Sequence, residues 1–329
     1  MRRAAWTVLP VAALMAIASP FVAWAQIPAA TLQQAYGALQ AGEADRALSL
    51  LAPLPATGPG AAEAQNLLCR VRLTLEQWDG AAKACEQAVR LDANNSIYHM
   101  WLGRALGGKA GQASFLTAFS LGRRARQEFE RAVRLDPRNA GALSDLGEFY
   151  TDAPGIVGGG LDKAESVAAE LDRVDPGKAY ELRGNIAVAR KDFAAAEQDY
   201  KQAITASPHP AEKWTVLASF YRRQKRWNDL DNAIHACVAA AARDKHPGVA
   251  LYDGAGVLME AGRDPALAAK MLEDYLASSS KSEEAPAFIA HIRLARLRQK
   301  LGDPAGAKQE FAAAWAMARE FNPSMDSDR

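Results

Sequence analysis

The stretch AEKWTVLASFYRRQKRWNDLDNAIHACVAAAARD, residues 211–244, contains two runs in which apolar residues recur every three or four positions. Leu217 and Tyr221 belong to the first run, and Leu230 and Ile234 belong to the second. Three or four residues make one turn of an α-helix, so each run places its apolar side chains on one face. The stretch therefore predicts two amphipathic helices joined by a short polar turn.

The preceding stretch, residues 177–210, has the same build about 34 residues earlier. Tyr180 and Gly184 lie in its first half, Ala196 and Tyr200 in its second, and a proline closes it. A period of about 34 residues with W-x2-L-G-x2-Y, then A-x3-F, then P marks a helix-turn-helix repeat. The chain resembles the tetratricopeptide repeat (TPR) family on these residues. The resemblance implies a right-handed superhelix in which the first helix of each pair lines a concave groove.

The same pattern extends along the chain and predicts about eight helix pairs. They lie near residues 31–54, 62–95, 96–139, 140–176, 177–210, 211–244, 248–279 and 288–321. One helix pair cannot bury its own apolar stripe, whereas stacked pairs bury a continuous core. We therefore expect an all-α solenoid over residues 26–321, followed by a disordered tail over residues 322–329.

Small residues in the first helices indicate how the two helices of a pair pack. Gly103 and Gly184 leave room for a close approach of the second helix, and we expect Ala125 and Ala196 to lie opposite them.

Residues 1–25 have the layout of a secretory signal peptide. Arg2 and Arg3 precede an apolar run, and Ala23 and Ala25 satisfy the small-x-small rule for cleavage after Ala25. An uncleaved membrane anchor is the alternative, but prolines within the run favour the signal peptide. We therefore expect a periplasmic or secreted mature chain that does not span the membrane.

Composition excludes some classes of partner. The formal net charge of +1 over 329 residues gives no field that draws the chain to nucleic acid, so we expect no nucleic-acid partner. Apolar residues make up 49% of the chain, mostly alanine and leucine, which indicates a helical protein rather than a disordered or β-rich one.

The sequence contains no motif that predicts a catalytic, cofactor-binding or metal-binding residue. The five histidines lie far apart and form no H-E-x-x-H spacing. Residues 158–160 are glycines but lack the lysine and hydroxyl of a phosphate-binding loop. We predict a non-catalytic protein without a cofactor. The alternative is an enzyme whose site is built from Lys109, Arg123, Arg124 and Asp162.

Two insertions lengthen the turn between the first and second helix in adjacent units, at residues 107–117 and 152–158. Equivalent turns emerge on the same edge of a solenoid, so the two loops should be neighbours. Phe115, Arg123 and Ile156 would there combine apolar and basic groups, which suits a partner site. The alternative is that the first insertion continues a helix and packs on the neighbouring loop.

The groove is the other candidate surface, and its first-helix positions are polar with scattered basic residues. The candidate partner-binding residues are Arg70, Arg104, Glu148, Glu181, Asn185, Arg222, Tyr252 and Arg296. The pattern of the family's carboxylate-clamp members is not met, so we expect no cytosolic chaperone partner. The sequence predicts a scaffold or adaptor of the bacterial cell envelope that binds a protein or peptide. The narrower alternative is an accessory factor in envelope assembly or polysaccharide export.

Two of the three cysteines fall in one helix pair. Cys69 and Cys85 lie on the inward faces of its two helices, in a chain expected to reach an oxidising compartment. Their positions look about one helical turn out of direct opposition, which favours buried thiols over a disulfide, and the disulfide is the alternative.

Overall fold

The structure is a computed structural model that describes residues 26–245 and 247–321. The signal peptide predicted over residues 1–25 and the tail predicted over residues 322–329 lie outside the described residues.

The described residues form sixteen α-helices and one 3₁₀ turn at Gly155–Val157, without a β-strand among them. The helices are α1 Ala29–Gln40, α2 Ala44–Leu51, α3 Ala61–Thr74, α4 Trp78–Leu91, α5 Ser96–Gly111, α6 Phe115–Leu135, α7 Ala140–Asp152, α8 Leu161–Leu171, α9 Pro176–Ala189, α10 Phe193–Ala206, α11 Pro210–Arg223, α12 Trp227–Ala241, α13 Ala250–Ala261, α14 Pro265–Ala277, α15 Ala287–Lys300 and α16 Pro304–Met317. Each odd-numbered helix packs along the even-numbered helix that follows it, which gives eight hairpins. The predicted all-α solenoid of about eight helix pairs is confirmed.

Local sequence fixes several helix starts. Asp175, Asp264 and Asp303 each accept a hydrogen bond from a backbone N–H in the first turn, and each is followed by proline. The carboxylate satisfies a backbone donor that has no partner within the helix, and proline fits the first turn because its missing N–H is not needed there.

Aromatic rings fill the spaces beside the small residues of the first helices. A Cβ atom on Gly184 would lie 2.5 Å from the ring of Tyr200, and one on Gly103 would lie 2.5 Å from the ring of Phe129. The expectation that Ala196 and Ala125 lie opposite these glycines stays a prediction, and the aromatic rings lie there as well. Each aromatic residue follows the expected alanine by one helical turn, and long side chains on a helix point back toward its N-terminus. The ring therefore reaches back to the glycine of the facing helix.

The array of hairpins closes on itself. Leu32 and Leu39 of α1 share one buried apolar cluster with Phe288 of α15 and with Phe321, which follows α16. The rings of Phe288 and Phe321 meet edge to face, with their centroids 4.9 Å apart. Gly42 lies directly against Ala287, where an added Cβ would meet the backbone nitrogen at 2.4 Å. The first and last hairpins thus pack as neighbours.

Polar contacts border this closure. The Arg319 side chain donates to Asp45 with an Nε–Oδ2 distance of 2.8 Å, and Gln77 donates to Glu320 at 3.1 Å. We call the contacts between α1–α4 and the segment from α15 to Phe321 the seam. Solenoid repeats ordinarily contact only their neighbours in sequence, so the seam turns an open array into a ring.

The odd-numbered helices form the inner wall of this ring. Successive odd-numbered helices contact one another from α1 to α13, so they lie on the inner side, where curvature brings them together. The connector between α14 and α15, residues 278–286, also reaches inward, since Glu283 contacts α1 and α3. We call the enclosed space the lumen.

Candidate functional site

The lumen contains a polar cavity of about 290 Å³. It is lined by residues of α5, α7, α9 and α11 and by the tip of the 278–286 connector: Arg104, Gly141, Ser144, Asp145, Glu148, Lys178, Glu181, Leu182, Asn185, Lys213 and Glu284. Residues from four hairpins and one connector therefore meet around a single space.

Two ion pairs cross from one hairpin to the next in this cavity. Arg104 donates from Nε and Nη2 to the two carboxylate oxygens of Asp145, at 2.7 and 3.1 Å. Lys213, which is buried, donates to Glu181. Breaking a buried pair by removing one partner is costly because the other charge stays unpaired. The charged wall is thus held in place before any partner arrives.

Two carboxyl groups of the inner wall titrate near neutrality. Burial, together with the nearby Asp145 and Glu181, raises the pKa of Glu148 to about 7. Burial raises the pKa of Asp253 on α13 to about 7 as well, helped by Glu212. Water of the lumen still reaches Glu148. The surrounding protein nevertheless displaces enough of its hydration to disfavour the charged form.

A second lumen cavity of about 470 Å³ lies near the seam and is amphipathic. It is lined by Glu76, Tyr252, Gly256, Met259, Glu260, Ile289, Ile292, Arg293, Arg296, Leu297, Lys300 and Phe321. The guanidinium of Arg293 lies over the ring of Tyr252, 4.2 Å from its centroid. Arg293, Arg296 and Lys300 follow one another along α15, so one wall of this cavity is basic.

Arg104 of the polar cavity shares one aromatic ring with Arg70. The guanidinium carbons of Arg70 and Arg104 lie 5.0 and 4.6 Å from the centroid of Trp101. Arg70 also lies 5.2 Å from the centroid of Tyr36. Such stacking fixes the planes of the guanidinium groups and leaves their edges free to donate. We call these four residues the arginine stack.

The structure brings most of the predicted groove residues together on the inner wall. Arg104, Glu148, Glu181 and Asn185 line the polar cavity, and Tyr252 and Arg296 line the amphipathic one. Arg70 and Arg222 are paired within the chain, with Glu283 and Glu260. Their role in binding a partner stays a prediction.

The side-chain oxygen of Asn185 already accepts a hydrogen bond of 2.7 Å from the hydroxyl of Tyr200. Tyr252 is largely buried beneath Arg293, so it supports this wall more than it contributes free surface.

Helix α6, which begins within the first insertion, packs against the second insertion. Helix α6 already begins at Phe115, so the first insertion does continue a helix, and a Cβ on Gly122 would lie 3.7 Å from Val157 of the second insertion. Phe115 and Ile156 are nevertheless 80% and 71% exposed. The guanidinium of Arg123 lies 5.8 Å from the ring centroid of Phe119. The structure thus combines both interpretations, an extended helix and exposed apolar side chains.

Two of the four polar residues of the enzyme alternative form ion pairs with α4. Lys109 pairs with Asp79, and Arg124 pairs with Glu86, both at 2.7 Å and both on α4. They serve to hold neighbouring hairpins together.

Cys69 and Cys85 are joined by a disulfide, and their Cα atoms lie 5.2 Å apart. The expectation of two buried thiols is wrong. The error lies in the assumed offset of one turn, since α3 and α4 pack so that the two positions are within the usual reach of the bond. Cys237 is a free, buried cysteine.

Sequence reasoning missed several residues of the inner wall, above all Glu283, Glu284, Lys213 and Asp253. Glu283 and Glu284 lie between two repeats, where the family pattern gives no position. Their signal was a pair of adjacent acidic residues in a connector that is longer than a turn requires.

Within residues 26–245 and 247–321, no three His, Cys, Asp or Glu side chains are grouped so that they could hold a metal ion. None of the helices in this part of the chain combines the length and the apolar character that crossing a membrane requires.

Among similar solved structures is TTC0263, described as a thermophilic TPR protein in Thermus thermophilus. It is 20% identical, the match covers 58% of this chain and 97% of that chain, and the TM-score is 0.49. The crystal structure of the MamA protein is 20% identical over 54% of this chain and 90% of that chain, with a TM-score of 0.41. None of the curated proteins compared with the chain matches it.

The family profile that matches is that of the tetratricopeptide repeat, over residues 32–96 and 181–250. The first match covers α1 to α4, and the second runs from α9 to the start of α13. The second stretch contains most of the two units from which the repeat pattern was first recognised in the sequence. On this evidence the chain contains tetratricopeptide repeats within residues 32–96 and 181–250.

Proposed function

We propose that this protein is a non-catalytic scaffold of the bacterial cell envelope that binds a segment of a partner protein along the inner wall of its ring. The observation that carries the proposal is the pre-formed polar cavity, in which charged groups from four hairpins converge on one space. Many modest contacts along a rigid surface give affinity with little ordering cost.

The chemistry of the wall favours a polypeptide over a single small metabolite. The polar cavity and the amphipathic cavity offer cations, carboxylates and apolar groups at separate places along one curved surface. An extended segment of several residues can contact all of these, because its side chains differ from one position to the next.

The proposed binding mode is tested by site-specific photo-crosslinking in cells that express the full chain. A photoreactive amino acid at Glu148 faces the lumen, and one at Gln202, exposed on the second helix α10, serves as the control. We expect a crosslinked polypeptide from Glu148 and none from Gln202. The proposal is wrong if Glu148 yields no adduct, or if both positions give the same adducts.

We also propose that the mature chain is exported. The layout of residues 1–25 supports this, and so does the Cys69–Cys85 disulfide, since disulfides persist mainly in oxidising compartments. N-terminal sequencing of the protein purified from a periplasmic fraction tests the proposal. The expected first residue is Gln26, and a chain that is found only in the cytosol with Met1 retained contradicts it.

A further inference from the structure

The 278–286 connector is folded by its own contacts with α14. The hydroxyl of Tyr275 donates to the carbonyl oxygen of Ala285 at 2.7 Å and accepts from the backbone N–H of Ser282 at 3.1 Å. The Lys281 ammonium donates to the carbonyl oxygen of Leu276 at 3.0 Å. These bonds fix a tight turn whose tip consists of Glu283 and Glu284. The turn therefore keeps its shape without help from the two glutamate side chains.

Both glutamates of this tip reach the arginine stack. Glu283 accepts from Nε of Arg70 at 2.8 Å and from the Nη2 of the same guanidinium, which is a two-point contact. Glu284 lies 3.6 Å from Nη1 of Arg104. Nε and Nη2 of Arg104 donate to Asp145, so Nη1 is the nitrogen that this side chain presents to an incoming anion.

The stack has the construction of a recognition site for carboxylates. The ring of Trp101 lies against both guanidinium groups, and the ring of Tyr36 lies against that of Arg70. Paired N–H donors in a fixed plane match the geometry of a carboxylate and bind it more tightly than a flexible ammonium. The spacing between the two arginines fits adjacent acidic residues, because Glu283 and Glu284 are themselves adjacent.

The two contacts differ in how firmly they are made. The Glu283 side chain is 9% exposed and also accepts a hydrogen bond from Gln40 at 3.0 Å, whereas the Glu284 side chain is 63% exposed. The outer half of the site is thus lightly held and open to exchange.

We propose that the arginine stack binds a pair of adjacent acidic residues in a partner polypeptide, and that Glu283 and Glu284 occupy this site within the same chain until the partner displaces them. The inference rests on the proposed binding along the inner wall and names the chemistry of the segment that is recognised there. The connector acts as an internal competitor, so it lowers the apparent affinity for the partner by the fraction of time for which it fills the site.

The test uses a fluorescent peptide, SKSEEAP, which copies residues 280–286, and a control peptide, SKSQQAP, which differs only in charge. Binding is measured by fluorescence anisotropy to the mature wild-type chain and to the Glu283→Gln/Glu284→Gln variant. The glutamine side chains keep the size of the tip but remove the negative charges that Arg70 and Arg104 face. We expect SKSEEAP to bind the variant about ten-fold more tightly than the wild type. SKSQQAP should bind neither protein.

Two further variants show where the peptide binds. Arg70→Gln or Arg104→Gln, added to the double variant, should abolish the gain, and the melting temperature of each protein shows that it is folded. If the double variant does not fold, Glu284→Gln alone replaces it, because that side chain is mostly exposed. Equal binding of SKSEEAP to the wild type and to the folded variant overturns the proposal.

The photo-crosslink at Glu148 separates this inference from the proposed function. If the peptide fails to bind but the lumen crosslink persists, the acidic recognition is wrong and the scaffold function stands. If the peptide fails to bind and the crosslink is also absent, the scaffold function is wrong as well.

Discussion

Two kinds of interface hold this ring together, and they differ in what encodes them. Tyr200 of α10 fits beside Gly184 of its own hairpin and packs at a tilt against Phe220 of α11 in the next hairpin, with the two ring centroids 5.5 Å apart. At the seam, the first and last hairpins meet through Phe288 and Phe321, bordered by the exposed side chain of Arg319.

The first kind of interface repeats with the period of the sequence, and the second occurs once. The interfaces between successive hairpins are part of large buried apolar clusters. The seam buries fewer large side chains and is bordered by polar contacts at the surface. We therefore infer that the array is stable by itself and that the seam is the place where the ring can open.

The largest effect is expected from the interface between successive hairpins. Tyr200→Ala should destabilise the protein by about 3–5 kcal/mol, because it removes a fully buried ring and leaves a cavity between α9 and α11. Urea unfolding followed by circular dichroism measures this change. The matched control is Trp315→Ala, an exposed aromatic residue on α16, with an expected change within about 0.5 kcal/mol. Similar losses for the two variants would mean that the repeat interfaces do not carry the stability.

Loss of the Cys69–Cys85 disulfide should have the next largest effect. It joins the two helices of one hairpin with a sequence separation of 16 residues, and closing a loop of that length contributes about 3 kcal/mol. Unfolding of the Cys69→Ala/Cys85→Ala variant tests this, compared with the wild type with and without reductant. Reductant should shift the wild type toward the variant and leave the variant unchanged.

Weakening the seam should lower the free energy of unfolding by less, and its effect should be confined to the helices of the seam. Phe321→Ala removes a buried aromatic side chain from the seam. The free energy of unfolding should nevertheless fall by only about 1–2 kcal/mol, because the hairpins can stay folded when the first and last ones separate. Hydrogen exchange followed by mass spectrometry should show faster exchange in α1, α2 and α16 and unchanged exchange in α9–α12. Uniformly faster exchange would show that the seam and the array unfold as one unit.

The smallest effect is a pH dependence located in the array. The pKa of Asp253 is raised in the folded state to about 7 from its ordinary value of 3.8, so the folded protein holds a proton that the unfolded chain releases. The penalty for ionising the buried group is therefore absent below about pH 4, grows between the two pKa values and is complete above about pH 7. Asp253→Asn should raise the melting temperature at pH 8 by about 2–4 °C and leave it unchanged at pH 4.

The control for this variant is the rate of hydrogen exchange in the helices of the seam. Asp253 lies on α13 among residues of the array, so seam exchange at pH 8 should match that of the wild type. A gain in melting temperature that is equal at pH 4 and pH 8 would show that the effect does not come from ionisation.

The sequence was sufficient to predict the hairpins, because each depends on a local period of three or four residues within a unit of about 34. It also predicted which side of the hairpins would carry Arg104, Glu148, Glu181 and Asn185. It did not predict the seam. Whether the eighth hairpin meets the first depends on small rotations that accumulate over the array, and no single residue encodes their sum.

The arginine stack shows the same limit at the level of a site. Arg70 and Arg104 could be assigned to the groove because they occupy first-helix positions. Their partners Glu283 and Glu284 lie far along the chain in a connector. The sequence separation of Arg70 and Glu283 is 213, and only closure of the ring brings the connector to the arginines.

Closure of the ring is tested most directly by a distance between the first and last hairpins. Spin labels at Arg46→Cys on α2 and Ala316→Cys on α16 lie at exposed positions, and the native cysteines are either bridged or buried. Double electron–electron resonance on this variant should give one narrow distribution below about 30 Å, since the labelled helices contact each other. An open array, whose ends are separated by several helix spacings of about 10 Å, would give a broad distribution beyond about 40 Å and would contradict the account.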